Sequence, residues 1–481
     1  MGEWLYNALA MKLILSLFLI LTVVASYVRD YSGPIQHTVH QKVHSDKPRV
    51  IILTDISSLD QKQGEPDDGQ SLIRLMLYTN ELEVEGLIAS SNLRHGQIVR
   101  PELIQRVISA YGQVHRNLLN HSAAYPPAAQ LNQLVRAGQP VAGPGQPLEN
   151  SVGAGKDTEA SDWIIQVVDQ ADPRPVWVCI WGGSADLAQA LWKVRQTRSA
   201  DAIDAFVAKL RVHAIYDQDQ TGPWIREQFP NLFYILRNHG IRGMYRGGDR
   251  TLLDSVWVAE NIQHGHGPLG ALYVNYRGGD IWSRQLGPVM GIKEGDTPSF
   301  LGLLSNGLNV WGQPELGGWG GRFRRKQQNQ YVEAVDSVGQ FADDPDPRMA
   351  AVYRWREAWQ HDFQARLDWC TKSYLNANHP PVAVIRNGAK ELFSELNVPA
   401  GTSLALNGEA SRDPDGDRLR FRWLAYPNPG AGFPEPLSEQ TNLNIQIPAA
   451  WKGRRISIVL DVTDTGSPNL TSYRRLLIEV Q

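Results

Sequence analysis

Residues 49–68 read RVIILTDISSLDQKQGEPDD, and this stretch decides how the chain begins to fold. Arg49–Thr54 is a short apolar run rich in β-branched side chains, which predicts a buried strand. A polar loop follows, and Pro66-Asp67-Asp68 is typical of a helix start. Strands and helices keep alternating, with strands predicted at 84–89, 176–181 and 210–216 and helices at 101–119, 158–170 and 186–194. The alternation predicts an α/β fold with an open, mostly parallel sheet and helices on both faces.

Three carboxylates surround the first connection between strand and helix. Asp55 follows the strand, while Asp67 and Asp68 begin the helix, so all three are expected where ligands bind in such sheets, at the carboxyl ends of the strands. Neighbouring carboxylates repel each other, which indicates a bound cation or shifted pKa values. Oxygen ligands of this kind favour Ca²⁺ or Mg²⁺. Helix capping is the alternative, and it explains one aspartate but not three.

Two later segments carry further candidates for the site. Residues 294–322 combine acids with many glycines, and Asp296 is predicted to complete a metal site there, with a network of tight turns as the alternative. Residues 217–224 follow a predicted strand, as expected of a segment that contacts a substrate, with an ordinary surface loop as the alternative. The predicted substrate-binding residues of these segments are Asp217, Asp219, Trp224, Asn306 and Trp319.

Composition narrows the class of protein. The chain has 481 residues, a formal net charge of −3, two cysteines and 15 tryptophans. Two cysteines exclude a disulfide scaffold and a cysteine-based zinc site. The near-neutral charge gives no reason to expect nucleic-acid binding, which relies on clustered lysines and arginines. Tryptophan rings pack against the apolar faces of sugars but also fill protein cores, so the tryptophan count leaves both uses open.

The two ends of the chain predict a targeting segment and a second domain. The apolar run at 13–25 is shorter than the ~20 residues of a membrane helix, so residues 1–26 are predicted to be a cleaved signal peptide, with an uncleaved anchor or a buried helix as the alternative. The mature protein is then expected to be secreted or periplasmic, with no stable membrane span. An α/β domain is predicted over 48–375, with one closing helix at 348–374. Short alternating runs predict an all-β, antiparallel Ig-like sandwich over 380–481.

The motifs also resemble a known family. Asp55, residues 65–68 (EPDD) and residues 86–89 (GLIA) resemble the aspartate signature of nucleoside hydrolases. More closely, the chain resembles a secreted bacterial branch whose nucleoside-hydrolase-like domain is described as cellulose-binding and is followed by a sandwich domain. The segments that carry this resemblance are 177–191 (WVCIWGGSADLAQAL), 210–226 (LRVHAIYDQDQTGPWIR), 294–309 and 317–323.

The resemblance implies a calcium site and a role for each acid. In nucleoside hydrolases, calcium holds a water molecule and the sugar diol while an aspartate takes the proton of the water. By position, Asp55, Asp68 and Asp296 would bind the metal, and a backbone carbonyl near Ala185 would complete its shell. Asp55 would also be the catalytic base. Asp67, the second residue assigned to catalysis, would bind the sugar hydroxyls.

The chain departs from nucleoside hydrolases in the part that recognises the base. Their Thr-Asn pair is Ala185-Asp186 here, and their late histidine is Gly295. The metal site is thus expected to be kept and nucleobase recognition lost. The expected function is calcium-dependent hydrolysis of a glycosidic bond, with a carbohydrate as the partner and no nucleic acid. A non-catalytic cellulose- or polysaccharide-binding protein is the alternative, and nucleoside hydrolysis is the less favoured one. A homo-oligomer is left open.

Overall fold

The computed structural model describes residues 47–60, 65–91, 98–278, 289–336, 338, 346–385, 393–428 and 436–481. The predicted signal peptide, residues 1–26, lies outside these ranges and stays a prediction. Within them, no helix combines the length and the apolar character needed to cross a membrane.

An eight-stranded sheet forms the centre of the α/β region. Its strands are β1 Arg49–Thr54, β2 Glu83–Ala89, β3 Val135–Ala137, β4 Val176–Ile180, β5 Leu210–Ile215, β6 Phe233–Arg237, β7 Phe323–Gln327 and β8 Gln330–Glu333. Their order across the sheet is β3-β2-β1-β4-β5-β6-β8-β7. Every neighbouring pair is parallel except β7 with β8. The predicted mostly parallel sheet is confirmed.

Strand β1 shows why the sheet is covered on both faces. Alternate side chains of a strand point to opposite faces of its sheet. Val50 and Ile52 belong to one hydrophobic core, whereas Ile51 and Leu53 belong to another, and all four side chains are fully buried. A strand buried on both sides needs the continuous apolar sequence that β1 has.

Helices cover both faces of the sheet. They are α1 Asp67–Met76, α2 Pro101–Leu118, α3 Ala128–Asn132, α4 Glu159–Asp169, α5 Ala185–Thr197, α6 Ala200–Lys209, α7 Thr221–Gln228, α8 Ser255–Val258, α9 Gly267–Ala271, α10 Pro298–Leu301, α11 Pro347–Tyr353 and α12 Arg356–Asp368. Helices α1, α2 and α12 contribute to the core that contains Val50. Helices α4, α5 and α7 contribute to the core that contains Ile51.

The prediction of one closing helix over 348–374 is wrong. The structure has two helices there, α11 and α12, separated by Arg354 and Trp355. The Trp355 ring packs edge-on against the rings of Tyr426 and Tyr473, with centroid distances of 5.1 and 5.7 Å. Because this packing joins residues that are far apart in the sequence, helical periodicity alone does not indicate the break.

The C-terminal region is all-β, as predicted, and consists of two sheets. Its strands are β9 Phe393–Val398, β10 Ser403–Asn407, β11 Arg420–Ala425, β12 Asn442–Gln446, β13 Arg455–Thr463 and β14 Thr471–Val480. Strands β10 and β12 form one sheet, and the other has the order β11-β13-β14-β9. Leu406 from the first sheet and Trp423 from the second lie in the same core, so the region is a small sandwich. The antiparallel expectation is wrong at β9, which pairs with β14 in parallel.

Arg475 on β14 fastens the sandwich to the α/β region. Its side chain is almost completely buried. It donates hydrogen bonds to the carbonyl oxygens of Leu308 at 2.8 Å and Gly317 at 2.9 Å, both in the α/β region. It also donates to the carbonyl oxygen of Tyr426 and the hydroxyl of Ser457, at 2.8 and 2.7 Å, within the sandwich. One guanidinium therefore bridges the two regions.

Replacing this side chain tests the bridge. Arg475→Met should lower the free energy of unfolding by about 3 kcal/mol or more, because buried acceptors lose their donors. Arg418→Met, which removes an exposed arginine of the same sandwich, should change stability by less than about 0.5 kcal/mol. Urea unfolding followed by tryptophan fluorescence measures both values. Equal stabilities for the two variants would contradict the bridging role.

Candidate metal and carbohydrate site

The acids that the sequence analysis selected line one cavity of about 400 Å³. Asp55 follows β1, Asp67 and Asp68 are the first residues of α1, and Asp296 lies just before α10. One carboxylate oxygen from each of Asp67, Asp68 and Asp296 lies within 4.8 Å of the others. The cavity is at the carboxyl ends of the strands, where an open α/β sheet binds ligands.

Local contacts explain how the acids come so close together. The Thr54 hydroxyl donates a hydrogen bond to Asp68 Oδ1, and the backbone N–H of Ile56 donates to that hydroxyl at 3.1 Å. Gly182 follows β4, the neighbour of β1, and a Cβ placed on it would lie 2.6 Å from the Cβ of Asp55. Glycine is therefore needed at position 182 to leave room for the Asp55 side chain.

A buried ion pair joins the two segments that carry the acids. Arg74, on α1, lies 2.5 Å from Glu294 between Nε and Oε2, and both side chains are fully buried. Glu294 also accepts hydrogen bonds from the hydroxyls of Tyr273 and Thr297, at 2.5 and 2.8 Å. Its carboxylate is thus committed to holding the loop of Asp296 against α1, which separates its role from those of the cavity acids.

Burial and crowding raise the pKa of Asp68 and of Asp296. For Asp68 the largest cause is the loss of water around the carboxyl group, followed by repulsion from Asp55. For Asp296 the largest cause is again burial, followed by repulsion from Asp68. Burial also lowers the pKa of the nearby Lys293 to about 7, against the attraction of Asp296. At neutral pH, the acid cluster therefore needs a cation or protons to be stable.

The geometry of the acids fits a divalent cation with oxygen ligands. Two oxygens bound to the same Ca²⁺ at about 2.4 Å can lie at most about 4.8 Å apart, and the oxygens of the three carboxylates lie within 4.8 Å of one another. Asp296 Oδ2 is buried and has no hydrogen-bond partner in the described part of the chain. A buried acceptor without a partner is costly, and a cation would supply the missing partner.

The grouping of the acids differs in one respect from the sequence assignment. The resemblance implied Asp55, Asp68 and Asp296 as ligands, whereas the three closest carboxylates include Asp67 in place of Asp55. Asp55 contacts the group through a hydrogen bond with the Asp68 side chain. All four acids are therefore close enough to act in one site.

Of the three substrate-binding residues that were predicted in the segment after β5, only one lies in the cavity wall. Asp217 lines the cavity, and its carboxylate is paired with both terminal nitrogens of Arg226, at 2.8 and 2.7 Å. Asp219 is buried outside the cavity wall and accepts a hydrogen bond from the backbone N–H of Thr221 at 2.9 Å. Trp224, on α7, lies against another ring of the hydrophobic core rather than against the cavity.

Asn306, Trp319 and Ala185 also lie outside the cavity wall. Asn306 Oδ1 accepts the backbone N–H of Leu308 at 3.0 Å, which closes a turn. Trp319 is buried, and its indole N–H donates to the Tyr473 hydroxyl at 3.2 Å, where the sandwich packs. These contacts favour the structural alternatives for Asn306 and Trp319. Ala185 is the buried first residue of α5, and its carbonyl as a metal ligand stays a prediction.

The cavity wall contains residues that the sequence analysis did not single out. They include Trp181, Tyr216, Asn238, Arg242, Tyr245 and Lys293. Trp181, Tyr216 and Asn238 come directly after β4, β5 and β6, so their position at strand ends was a usable signal. The remaining three reach the cavity only through the tertiary fold.

Calcium should stabilise the protein in a pH-dependent way. Because the pKa values of Asp68 and Asp296 are raised in the folded state, the cation-free protein loses stability as pH rises above the usual carboxyl pKa of about 4. Calcium needs the ionised carboxylates, so it should raise Tm more at pH 7.5 than at pH 5. At pH 7.5, calcium at 100 times its Kd should add about 2.7 kcal/mol to the free energy of unfolding. Thermal unfolding with calcium or chelator measures this.

Asp296→Asn provides the control for the calcium effect. The variant should lose the calcium-dependent rise in Tm. In chelator at pH 7.5 it should be at least as stable as the wild type, because a buried negative charge has been removed. A calcium effect that is equal at both pH values, or that survives in this variant, would place the cation elsewhere.

Two family models match the chain, and together they cover most of its residues. A family model described as "Cellulose-binding Sde182, nucleoside hydrolase-like domain" matches residues 49–323. A second, described as "Cellulose-binding protein Sde0182, C-terminal domain", matches residues 403–480. Curated proteins gave no match.

A solved structure extends the likeness. The chain is similar to a nucleoside hydrolase-related hypothetical protein from Saccharophagus degradans that is described as associated with carbohydrate metabolism. The two are 37% identical, the match covers 91% of this chain and 100% of the other, and the TM-score is 0.74. The chain therefore belongs to the cellulose-binding Sde182 family, with its nucleoside-hydrolase-like domain and C-terminal domain.

Proposed function

We propose that this protein is a calcium-dependent hydrolase that cleaves a glycosidic bond in a carbohydrate outside the cytoplasm. The observation that carries the proposal is the group of four aspartates in one cavity, three of which have oxygens within 4.8 Å of each other. Binding a neutral polysaccharide does not require buried carboxylates whose pKa values are raised, whereas cleaving one by acid–base chemistry commonly does.

Each aspartate has a distinct role in the proposal. Asp68 and Asp296 hold the cation, with Asp67 at the same centre. Bound calcium would polarise a water molecule and fix neighbouring sugar hydroxyls. Asp55, which is less buried than Asp68, accepts the proton of the attacking water, and the departing sugar oxygen takes up a proton from solvent as the glycosidic bond breaks. Asp67 accepts hydrogen bonds from the sugar hydroxyls and so orients the ring.

A leaving group other than a nucleobase is supported by two positions. Gly295 stands where nucleoside hydrolases have a histidine, and it brings no side chain to the leaving group. Asp186 stands where they have an asparagine, and its carboxylate accepts hydrogen bonds from the backbone N–H of Gln139 at 2.9 Å and the Thr158 hydroxyl at 2.6 Å. Asp186 is thus used to hold the fold together, and a sugar is the better candidate for the leaving group.

The place of action is part of the proposal. Residues 1–26 have the pattern of a signal peptide, and the family is described as cellulose-binding. A polymer such as cellulose cannot enter a cell, so a protein that acts on it is exported. Calcium is also more available outside the cytoplasm than inside it.

A screen for released products tests the proposal. Residues 27–481 would be incubated with nucleosides and with plant and algal oligosaccharides, in calcium or in chelator. We expect reducing sugar to be released from an oligosaccharide in calcium, at least 100-fold less in chelator or in Asp68→Asn, and little from nucleosides. Asp201→Asn, on the exposed face of α6, should leave activity unchanged.

A second variant distinguishes catalysis from binding. Asp55→Asn should lower kcat by 100-fold or more and change KM little, because it removes the base and keeps the other acids. Oligosaccharide binding without product release in any condition would contradict the hydrolase and favour a binding protein. Release of free base from nucleosides would identify a nucleoside hydrolase instead.

A further inference from the structure

We infer that Tyr216 forms a second sugar-binding subsite at the mouth of the cavity, so that the ligand is a chain of at least two pyranose rings. The inference rests on the proposed carbohydrate ligand. It adds the minimum length of that ligand and the apolar character of its ring faces. One ring would lie at the acid cluster, and the next would stack on the Tyr216 side chain.

Tyr216 is the accessible aromatic residue of the cavity wall. The residue is 54% exposed, whereas Trp181 and Tyr245, the other aromatic residues described in that wall, are 1% and 9% exposed. An exposed tyrosine ring offers a flat apolar surface with a polar tip. A pyranose with equatorial hydroxyls, such as β-linked glucose, presents C–H groups on both of its faces and complements that surface.

The backbone at Tyr216 is held in an unusual conformation. Its φ is +65°, in the left-handed region that costs a bulky residue about 1–2 kcal/mol. The backbone N–H of Tyr216 donates to the carbonyl oxygen of Arg237 at 2.7 Å. The Gln218 amide donates to the carbonyl oxygens of Ile215, at 3.1 Å, and Trp181. Strain that neighbouring contacts maintain is typical of ligand-binding segments.

Polar groups for a sugar lie in the same wall. Asn238 and Arg242 line the cavity, and neither side chain hydrogen-bonds another residue in the described ranges. Sugar hydroxyls need such donors around an apolar platform. Together, Tyr216, Asn238 and Arg242 provide a stacking surface with unsatisfied donors beside it.

Binding of cellotetraose and of glucose to calcium-loaded protein, measured by titration calorimetry, tests the subsite. We expect cellotetraose to bind more tightly than glucose. Tyr216→Asn should weaken cellotetraose binding by about two- to tenfold, the range of an aromatic stacking contact, and should leave glucose binding unchanged. Tyr216→Phe should bind cellotetraose within twofold of the wild type, because the ring is kept.

Two controls keep the result specific. Asparagine adopts positive φ readily, so Tyr216→Asn should have a Tm no lower than that of the wild type. Leu375→Ala changes a residue that is 93% exposed and outside the cavity wall, and it should not change binding. Lost binding in Tyr216→Asn with an unchanged Tm is therefore a loss of the platform.

Several results would overturn the subsite. The wild type and Tyr216→Asn could bind cellotetraose with equal affinity. The wild type could also bind cellotetraose no more tightly than it binds glucose. Adenosine binding that depends on Tyr216 while cellotetraose binding does not would assign the ring to a nucleobase. Because the assay measures binding, Tyr216-dependent binding without product release would contradict the hydrolase and keep the subsite.

Discussion

Four carboxylates that share one cavity repel each other, and contacts in the α/β region must hold them together against this repulsion. Asp55, Asp67, Asp68 and Asp296 come from two segments that are far apart in the sequence. Burial adds to the repulsion, since it raises the pKa of Asp68 and Asp296. A fold does not maintain such an arrangement without a compensating charge, and this requirement connects the fold to the proposed cation.

Two sets of buried contacts hold in place the late segment that carries Asp296. The Arg74–Glu294 pair holds the late loop to α1. The same late segment continues to Leu308 and Gly317, whose carbonyl oxygens bind Arg475 of the sandwich. The sandwich therefore supports the segment that supplies Asp296. This gives the C-terminal region a structural role in the site, whether or not it also contacts carbohydrate.

The sequence was sufficient to predict the sheet architecture and the position of the acids at its edge. It was not sufficient where contacts between distant residues determine the local structure. The strand at 49–54 was predictable because a strand buried on both faces must be apolar throughout. Asp55 and Asp67 were predictable because residues at strand ends meet at one edge of the sheet. The break in the helix at Trp355 was not predictable, since the Trp355 ring packs against Tyr426 and Tyr473, which are distant in the sequence. The substrate-binding roles of Asn306 and Trp319 stay predictions, and the structure places Asn306 in a turn and Trp319 against Tyr473.

Calcium binding by the four aspartates can be tested with a crystal structure of the protein grown in calcium, with anomalous scattering used to locate the ion. We expect one calcium ion in the cavity, bound by Asp68 and Asp296 and by at least one of Asp55 and Asp67, with the remaining positions open to solvent or sugar. A cavity without an ion at millimolar calcium, with the carboxyl groups hydrogen-bonded to each other instead, would show that these aspartates do not form a calcium site.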